Sequence, residues 1–385
     1  MEKALAKHYE WRGKIETSLR SPLETKEDLS MAYTPGVALP CLEIEKDGKK
    51  SFELTRRWNQ VAVITDGTAV LGLGDIGPLA AMPVMEGKAA LFKKFGDVDA
   101  IPLCLKTKDV DEFVNAVALL EGNFGGINLE DISAPRCFEI EEKLKKRLNI
   151  PVFHDDQHGT AIVALAACLN VLKLTGKNKS EVRLVVNGAG AAGTAIINLL
   201  LKAGIKNIVA CDRSGIIYKG KDGLSKDHLK LAEKTNPQMR TGLLKDAMED
   251  TDIFIGVSAP NCVTEEMVKS MNKKSAVFAM ANPTPEIHPM LAKKAGAYIV
   301  ATGRSDFPNQ INNVLAFPGV FRGVLDARVR EITSEMNIKA AEAIADFVTD
   351  LNPENIMPSA LDKSVTMSVA NAIKQFAKQT FNNQL

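Results

Sequence analysis

The chain has 385 residues, a formal net charge of +1, and 45% hydrophobic against 25% charged residues. At about 150 residues per domain this length predicts two or three domains, and the composition predicts a sizeable hydrophobic core. The near-zero net charge excludes the strong field that attracts nucleic acid or an anionic membrane, so neither is expected as a main partner.

The cysteines and the N-terminus predict a cytoplasmic protein. The six cysteines lie far apart with no Cys-x-x-Cys pair, a spacing that favours reduced thiols over a zinc site or a disulfide framework. The N-terminus is charged and lacks the apolar region of a signal peptide. The longest strongly apolar run, residues 161–169, is far shorter than the ~20 residues that span a bilayer.

Strands and helices alternate along the first half of the chain. Residues 1–30 are predicted to be helical, and residues 61–64 form a strand that is predicted to turn at 66–68 and return as a hairpin through 69–75. A helix over residues 83–92 follows. The later segments are strands at 100–105, 126–129 and 150–153 and helices at 110–120, 137–148 and 161–174. This alternation is typical of a parallel α/β sheet.

The second half repeats the alternation and predicts a Rossmann-type, doubly wound dinucleotide-binding domain. The predicted strands are 182–186, 208–211, 253–257, 276–280 and 298–301, and a helix at 194–202 follows the first of them. Residues 326–385 carry long helical patterns that are interrupted by Pro353 and Pro358.

A glycine-rich loop separates the first strand of this half from its helix. The motif G-x-G-x-x-G consists of Gly188, Ala189, Gly190, Ala191, Ala192 and Gly193. Its glycines permit a tight turn and close approach of the backbone to a pyrophosphate at the helix N-terminus. Asp212, at the end of the next strand, is suited to a ribose 2′-hydroxyl and favours NAD, whereas the adjacent Arg213 is suited to a 2′-phosphate. NAD and NADP both stay open, and a glycine-rich turn of another α/β fold is the alternative.

Two pairs of acidic residues end consecutive strands. Glu130-Asp131 and Asp155-Asp156 are expected side by side at the carboxyl edge of the sheet. Three or four carboxylates with no nearby cysteine are suited to Mg²⁺ or Mn²⁺ rather than zinc. Capping of the following helices is the alternative, but two pairs in equivalent positions favour a metal site.

Four further side chains have a structural and a functional interpretation. Tyr33 precedes a Pro-Gly turn, and Lys88 lies among small apolar residues, where desolvation would lower its pKa from ~10.4 towards that of a general base. Taken singly, each is better explained as an ordinary surface side chain. His154 and His158 flank the second acidic pair and are predicted to be structural or to support its ligands.

Taken together, these motifs occur in the order found in malic enzymes, and the likeness extends to about residue 330. The sequence resembles the short bacterial-type form of that family in the segments 33–37, 71–75, 86–88, 128–132, 153–160, 281–286, 312–313 and 317–320. The resemblance implies oxidative decarboxylation of L-malate to pyruvate and CO₂, with reduction of NAD or NADP and a requirement for Mg²⁺ or Mn²⁺. The alternative on the same scaffold is an oxaloacetate decarboxylase or a malolactic-type enzyme. A dinucleotide-sensing protein without activity is disfavoured, because it would not need the lysine, the tyrosine and the carboxylates together.

The resemblance also implies a role for each matching residue. Lys88 is similar to the general base that takes the malate hydroxyl proton, Tyr33 to the general acid that protonates the enolate, and Asp155 to the acid beside the lysine. The implied metal ligands are Glu130, Asp131 and Asp156, and the implied contacts to substrate or nicotinamide are Asn282 and Asn313.

The resemblance implies three parts and a homodimer. Residues 1–155 would form the substrate and metal domain, 156–313 the NAD(P)-binding domain, and 314–385 helices that pack back on the first domain. Tyr33 and Lys88 are candidates for meeting across subunits.

One position departs from the family pattern. Larger malic enzymes carry a malate-binding arginine where this chain has Ala69, so another cation must meet the substrate carboxylate. Arg304 and Arg20 are the candidates.

Overall fold

Short helices make up the first sixty residues of the computed structural model, which describes residues 2–70 and 72–381. They are α1 (Glu2–Trp11), α2 (Lys26–Ala32), α3 (Ala38–Lys46) and α4 (Ser51–Leu54). A capping box begins α2: Thr25 Oγ1 accepts from the Asp28 N–H, and the Asp28 carboxylate accepts from the Thr25 N–H, both at 3.0 Å. None of these four helices contains a buried residue, so this segment forms no core of its own within one chain.

A four-stranded parallel sheet follows. Its elements are β1 (Gln60–Thr65), α5 (Gly77–Gly96), β2 (Asp99–Cys104), α6 (Val110–Leu119), β3 (Gly126–Leu129), α7 (Arg136–Arg147) and β4 (Val152–His154). The strand order is β2-β1-β3-β4. Because Leu129 at the end of β3 pairs with His154 at the end of β4, the residues that follow these two strands meet at one edge of the sheet.

The hairpin predicted over residues 66–75 is wrong. Both edges of β1 are hydrogen-bonded, to β2 and to β3, so no edge is free for a returning strand. The chain instead forms a loop with a single bridge between Val70 and Gly74; Leu71 lies outside the described residues. Gly67 has a φ of +72°, and a Cβ there would lie 2.3 Å from the Gly77 carbonyl oxygen, so the loop packs directly against the start of α5.

The second sheet has six strands. After a π-helical turn (Asp155–Gly159) come α8 (Thr160–Thr175), β5 (Arg183–Asn187), α9 (Ala191–Lys202), β6 (Asn207–Asp212), β7 (Gly215–Ile216), α10 (Lys226–Lys234), α11 (Leu244–Met248), β8 (Ile253–Gly256), α12 (Glu265–Lys269), β9 (Ala276–Ala279), α13 (Pro289–Lys294) and β10 (Ile299–Thr302). The order is β10-β9-β8-β5-β6-β7, and only β7 runs antiparallel. The strand order reverses between β5 and β8, where doubly wound folds bind dinucleotides. The predicted fold class is confirmed.

Three C-terminal helices connect the two sheets. They are α14 (Phe317–Ala327), α15 (Ser334–Asp346) and α16 (Lys363–Phe381). Helix α14 packs against α5 and α16, and α15 packs against α8 and α16. The buried Asn170 on α8 donates to the carbonyl oxygens of Ala345 and Ile356 at 3.0 and 2.9 Å. One continuous apolar core therefore extends from α5 through α8 to the C-terminal helices.

The helical segment Asp155–Thr175 is long and apolar enough, by length and composition, to cross a membrane. This differs from the expectation that no run reaches that length, because the π-helical turn and α8 continue as one 21-residue segment. However, 72% of its most apolar window is buried inside the fold, where α8 packs against α9 and α15. The apolar composition of this segment is therefore explained by its position in the core of the fold.

Candidate active site

The acidic pairs that follow β3 and β4 meet at the carboxyl edge of the first sheet. One oxygen each of Glu130, Asp131 and Asp156 lies within 4.8 Å of the others. The Asp131 N–H donates to Asp156 Oδ2 at 2.8 Å, and Asn128 Nδ2 donates to Glu130 Oε2 at 2.9 Å. Asp131 has a φ of +53°, a left-handed conformation of the kind that clusters at functional sites.

These three carboxylates fit a divalent cation. Glu130 and Asp131 are buried, and burial raises the pKa of Asp131 to about 8, with a further contribution from the charge of Asp156. Asp131 Oδ2 is buried and has no hydrogen-bond partner within the described residues. Buried carboxylates this close repel one another unless a cation balances them, and a set made only of oxygens is suited to Mg²⁺ or Mn²⁺.

Lys88 on α5 lies between two carboxylates of this edge. Its Nζ is 2.6 Å from Asp155 Oδ2, 2.9 Å from Glu130 Oε1, and 4.3 Å from the centre of the Phe317 ring. Burial by itself lowers the pKa of Lys88, but the charges of Asp155 and Glu130 outweigh burial and raise the pKa above its ordinary value. The expectation of a lowered pKa for Lys88 is therefore wrong, although burial itself acts in the expected direction.

Asp155 is fully buried at the start of the π-helical turn. Its Oδ2 accepts from Lys88 and also from Asn313 Nδ2, at 3.0 Å. Asn313 Nδ2 lies 3.1 Å from Thr160 Oγ1 as well. A Cβ on Gly159 would lie 1.9 Å from Asp155 Oδ1, so this turn needs glycine to accommodate the carboxylate. The predicted contact between Asn313 and substrate stays a prediction; the structure places Asn313 on Asp155.

Tyr33 is not part of this network within one chain. It follows α2, and 68% of its surface is exposed. Its hydroxyl makes no hydrogen bond to any residue of 2–70 or 72–381. The expectation that Tyr33 and Lys88 meet across subunits stays a prediction.

The two histidines flank the carboxylates. His154 is fully buried, neither ring nitrogen has a hydrogen-bond partner among the described residues, and Nδ1 lies 3.6 Å from Asp156 Oδ2. Burial lowers the pKa of His154 despite the nearby carboxylates, so the ring is neutral. His158 Nε2 lies 2.7 Å from Glu141 Oε1. Glu141 belongs to no sequence motif and was not predicted to contact the site.

The glycine motif forms the turn between β5 and α9. Gly188 has a φ of +111°, and a Cβ there would lie 2.4 Å from the Val257 carbonyl oxygen. A Cβ on Gly193 would lie 1.7 Å from the Gly188 carbonyl oxygen. Because α9 begins at Ala191, its unpaired N–H groups follow directly on the loop and suit a pyrophosphate.

Asp212 ends β6, beside this loop. Its Oδ1 accepts from the N–H and the Oγ of Ser214 at 2.8 and 2.6 Å, and its Oδ2 lies 3.4 Å from His228 Nδ1. Burial raises the pKa of Asp212, but the bonds from Ser214 outweigh it, so the pKa is lowered and the group stays ionised. Arg213 is exposed. His228, which belongs to no motif, also lies 3.3 Å from the Ala189 carbonyl oxygen through Nε2.

The loop that carries Asn282 reaches the first sheet. A Cβ on Gly72 would lie 3.4 Å from the Asn282 carbonyl oxygen and 3.0 Å from Pro283 Cδ. This contact brings the carboxyl end of β9 to the loop after β1. Asn282 itself is exposed.

The contacts around Ala69 do not identify the cation that takes the place of the malate-binding arginine of larger malic enzymes. Ala69 donates its N–H to the Asp131 carbonyl oxygen at 3.0 Å, so this position does adjoin the carboxylates. Arg304 lies near the Asn282 loop, where its Nη1 donates to the Pro283 carbonyl oxygen at 3.3 Å, but it also pairs with Asp306 at 2.7 Å. Arg20 is exposed.

Two sheets with these loops define an NAD(P)-dependent α/β enzyme with a carboxylate site for a divalent cation. Residues 12–145 match the family model described as malic enzyme, N-terminal domain, and residues 157–378 match malic enzyme, NAD binding domain. The chain belongs to the malic enzyme family, whose reaction is the oxidative decarboxylation of malate with NAD or NADP.

Named relatives agree over nearly the full chain. The bifunctional malic/malolactic enzyme of Bacillus subtilis is 55% identical over 98% of this chain and 93% of its own length. The NAD-dependent malic enzyme of Geobacillus stearothermophilus is 54% identical over 96% of this chain and 77% of its own. The crystal structure of the NAD-dependent malic enzyme of Thermotoga maritima has a TM-score of 0.93 and 51% identity, over 96% of this chain and 98% of its own.

Proposed function

We propose that this chain oxidises and decarboxylates L-malate to pyruvate and CO₂ at the edge where Lys88, Asp155 and the carboxylates meet. The observation that carries the proposal is the position of Lys88 Nζ, 2.6 Å from Asp155 and 2.9 Å from Glu130. One amine thereby adjoins both a proton acceptor and the proposed metal ligands, which is the arrangement that removal of a hydroxyl proton beside a cation requires.

Each residue has a proposed part in the reaction. Glu130, Asp131 and Asp156 would hold the cation, which would supply Lewis acidity towards malate and offset the negative charge beside Lys88. Lys88 Nζ passes its excess proton to Asp155 Oδ2 and then accepts the C2 hydroxyl proton of malate. A bound NAD(P) would supply the hydride acceptor for the same carbon.

The remaining proposed parts belong to residues outside this cluster. Tyr33 donates its hydroxyl proton to C3 of the enolate that remains after CO₂ is lost. Asn282 and Asn313 orient the substrate and the nicotinamide. Since Ala69 offers no cation, Arg304 is the proposed partner of a malate carboxylate, because its guanidinium donates to the Pro283 carbonyl oxygen in the loop that carries Asn282.

We propose that a second copy of the chain covers the N-terminal helices and brings Tyr33 to the partner's site. Large apolar side chains that are more than half exposed are concentrated there, at Leu5, Tyr9, Trp11, Leu19, Leu29, Met31, Tyr33 and Leu39. A concentration of this kind marks a protein interface. A two-fold dimer is the commonest way to cover such a surface.

We also propose NAD as the preferred cofactor, since the ionised Asp212 would repel a 2′-phosphate. The chain is proposed to divide at about residues 155 and 313 into the three parts expected from the sequence, and to work in the cytoplasm, where its free cysteines stay reduced.

A second candidate is malolactic activity, in which lactate forms without net reduction of the cofactor. One observation favours it: the relative with 55% identity is named for both activities. The geometry of Lys88 and Asp155 serves either reaction.

The test follows three products at once. Purified protein is supplied with L-malate, Mn²⁺ and either NAD or NADP, and reduced cofactor, pyruvate and lactate are measured. Equal amounts of reduced cofactor and pyruvate, lost on chelation of the metal, are the expected result, with NAD faster than NADP. Lactate without reduced cofactor would replace the first candidate by the second, and no consumption of malate would refute both.

A further inference from the structure

Glu286 is a fully buried carboxylate without a cation partner. It lies in the loop after β9, and no lysine, arginine or histidine in the described part of the chain pairs with it. Its Oε1 accepts from the Ser258 N–H at 2.9 Å and its Oε2 from the Ala281 N–H at 3.0 Å. A buried carboxylate held only by neutral donors is costly, and packing alone does not explain why this position holds one.

The contacts of Glu286 join the loops that follow three neighbouring strands. Ser258 lies in the loop after β8, and Ala281 precedes Asn282 in the loop after β9. Ser258 Oγ lies 3.3 Å from Glu286 Oε1 and accepts from Asn187 Nδ2 at 2.8 Å. Asn187 ends β5 and immediately precedes the glycine motif, so the network extends from the pyrophosphate loop to the loop of Asn282.

The strand order places these loops on one half of the cofactor site. The turn after β5 would hold the pyrophosphate, and Asp212 at the end of β6 would meet the adenosine ribose. Because β8 and β9 lie on the other side of β5, their loops would then hold the nicotinamide half of the dinucleotide. A Cβ on Gly256 would lie 2.4 Å from the Glu286 carboxyl carbon, so the last residue of β8 must be small to admit this side chain.

We propose that Glu286 is a positioning residue that fixes the β8 and β9 loops in the shape that binds the nicotinamide half of NAD(P). It touches neither cofactor nor substrate, since it is fully buried. The proposal rests on the dinucleotide-binding role of the second sheet and on no step of malate chemistry.

The test compares two ligands in the absence of malate and metal. Glu286→Gln keeps the shape of the side chain, but its amide nitrogen cannot accept from the second loop. NADH affinity, followed by fluorescence, should fall about tenfold, the effect of one buried donor left unpaired. The affinity for ADP-ribose, which lacks the nicotinamide, should stay at the wild-type value.

Asp252→Asn is the matched control. Asp252 is also a buried carboxylate that accepts from a backbone N–H, that of Arg183 at 2.8 Å, and from Asn272 Nδ2 at 2.8 Å, but it lies at the opposite end of the same sheet and also pairs with Lys177. This variant should lose thermal stability and keep both affinities. Loss of NADH and ADP-ribose affinity to the same extent in Glu286→Gln, or no loss of either, would overturn the proposal.

Ser258→Ala provides a second variant if Glu286→Gln does not fold. It removes the hydroxyl that joins Glu286 to Asn187 and leaves the Ser258 N–H in place. A loss of NADH affinity that is smaller than in Glu286→Gln, with unchanged ADP-ribose affinity, supports the proposed network. Equal changes in the affinities for the two ligands overturn it.

Discussion

At the scale of single residues, neighbouring charges decide the state of the proposed catalytic lysine. A unit charge at about 3 Å contributes about 5 kcal/mol at an effective dielectric constant of about 20, and Lys88 has two such neighbours, Asp155 and Glu130. Burial of an ion costs several kcal/mol. The attraction of the two carboxylates therefore outweighs the cost of burying the ammonium group, which explains why the pKa of Lys88 is raised.

The variant Lys88→Ala should lose turnover and keep the cofactor. Removal of a general base lowers kcat by about a hundredfold to ten-thousandfold, whereas NADH binds to the second sheet and should be unaffected. Steady-state kinetics and NADH fluorescence measure the two quantities. Lys93→Ala is the control, because Lys93 lies on the same helix with an exposed side chain. A Lys88→Ala enzyme with nearly wild-type kcat would remove Lys88 from the mechanism.

Binding of Mn²⁺ should become tighter as the pH rises. The pKa of Asp131 is raised to about 8 in the metal-free protein, and a ligand must lose its proton before it binds a metal, so affinity should increase between about pH 6 and about pH 8 and then level off. Calorimetric titration measures this dependence. Asp111→Asn, a change at an exposed carboxylate on α6, should keep the same slope. An affinity that is independent of pH would show that Asp131 is not a ligand.

At the scale of elements, α14 connects the C-terminal helices to the first sheet, because it packs against both α16 and α5. Gly319 on α14 meets Val369 and Thr366 on α16, where an added Cβ would lie 2.7 Å from Val369 Cβ and 2.8 Å from the Thr366 carbonyl oxygen. The neighbouring Phe317 ring contacts Lys88. The spacing of these helices therefore helps to determine where the lysine lies.

The variant Gly319→Ala should destabilise the fold by about 1–3 kcal/mol, because the added methyl group meets backbone and β-carbon atoms that cannot move aside. Denaturant unfolding measures the change. Gly87→Ala on α5 is the opposite case: nothing lies within 4 Å of its Cβ position, so it should stabilise by about 0.4–1 kcal/mol. Equal effects of the two substitutions would show that the α14–α16 contact is looser than the structure indicates.

At the scale of the whole molecule, one chain leaves its first helices without a core. Helices α1 to α4 contain no buried residue, and Tyr33 in their midst is exposed. The second sheet and the C-terminal helices bury their apolar faces within the chain. The proposed second copy would therefore cover the end of the molecule that carries the proposed proton donor, Tyr33.

Mixed subunits should test whether the site is shared. Tyr33→Phe and Lys88→Ala are each expected to be inactive, but a dimer of one subunit of each kind contains one intact site if the two residues meet across the interface. Co-expression should then restore about a quarter of the wild-type activity. Sedimentation of the wild-type protein gives the mass of the assembly. A monomeric protein, or a mixture as inactive as its components, would refute the shared site.

The sequence by itself determined the elements whose signals are local. Strand–helix alternation predicted both parallel sheets, and the Gly188 motif followed by Asp212 predicted the dinucleotide loop, because backbone conformation and chain spacing suffice for both. The acidic pairs were also predictable, since consecutive parallel strands end at the same edge of a sheet. The choice of Glu130, Asp131 and Asp156 as the metal ligands among these four acids came from the family resemblance.

Only the tertiary structure decided contacts between elements far apart in the chain. The loop after β1 could not be a hairpin once β2 and β3 occupied both edges of that strand. The raised pKa of Lys88, the link from Asn313 to Asp155, and the burial of Glu286 each depend on side chains brought together by packing. The burial and the electrostatic environment of a side chain depend on all of its neighbours in space. The spacing of residues along the chain does not reveal those neighbours.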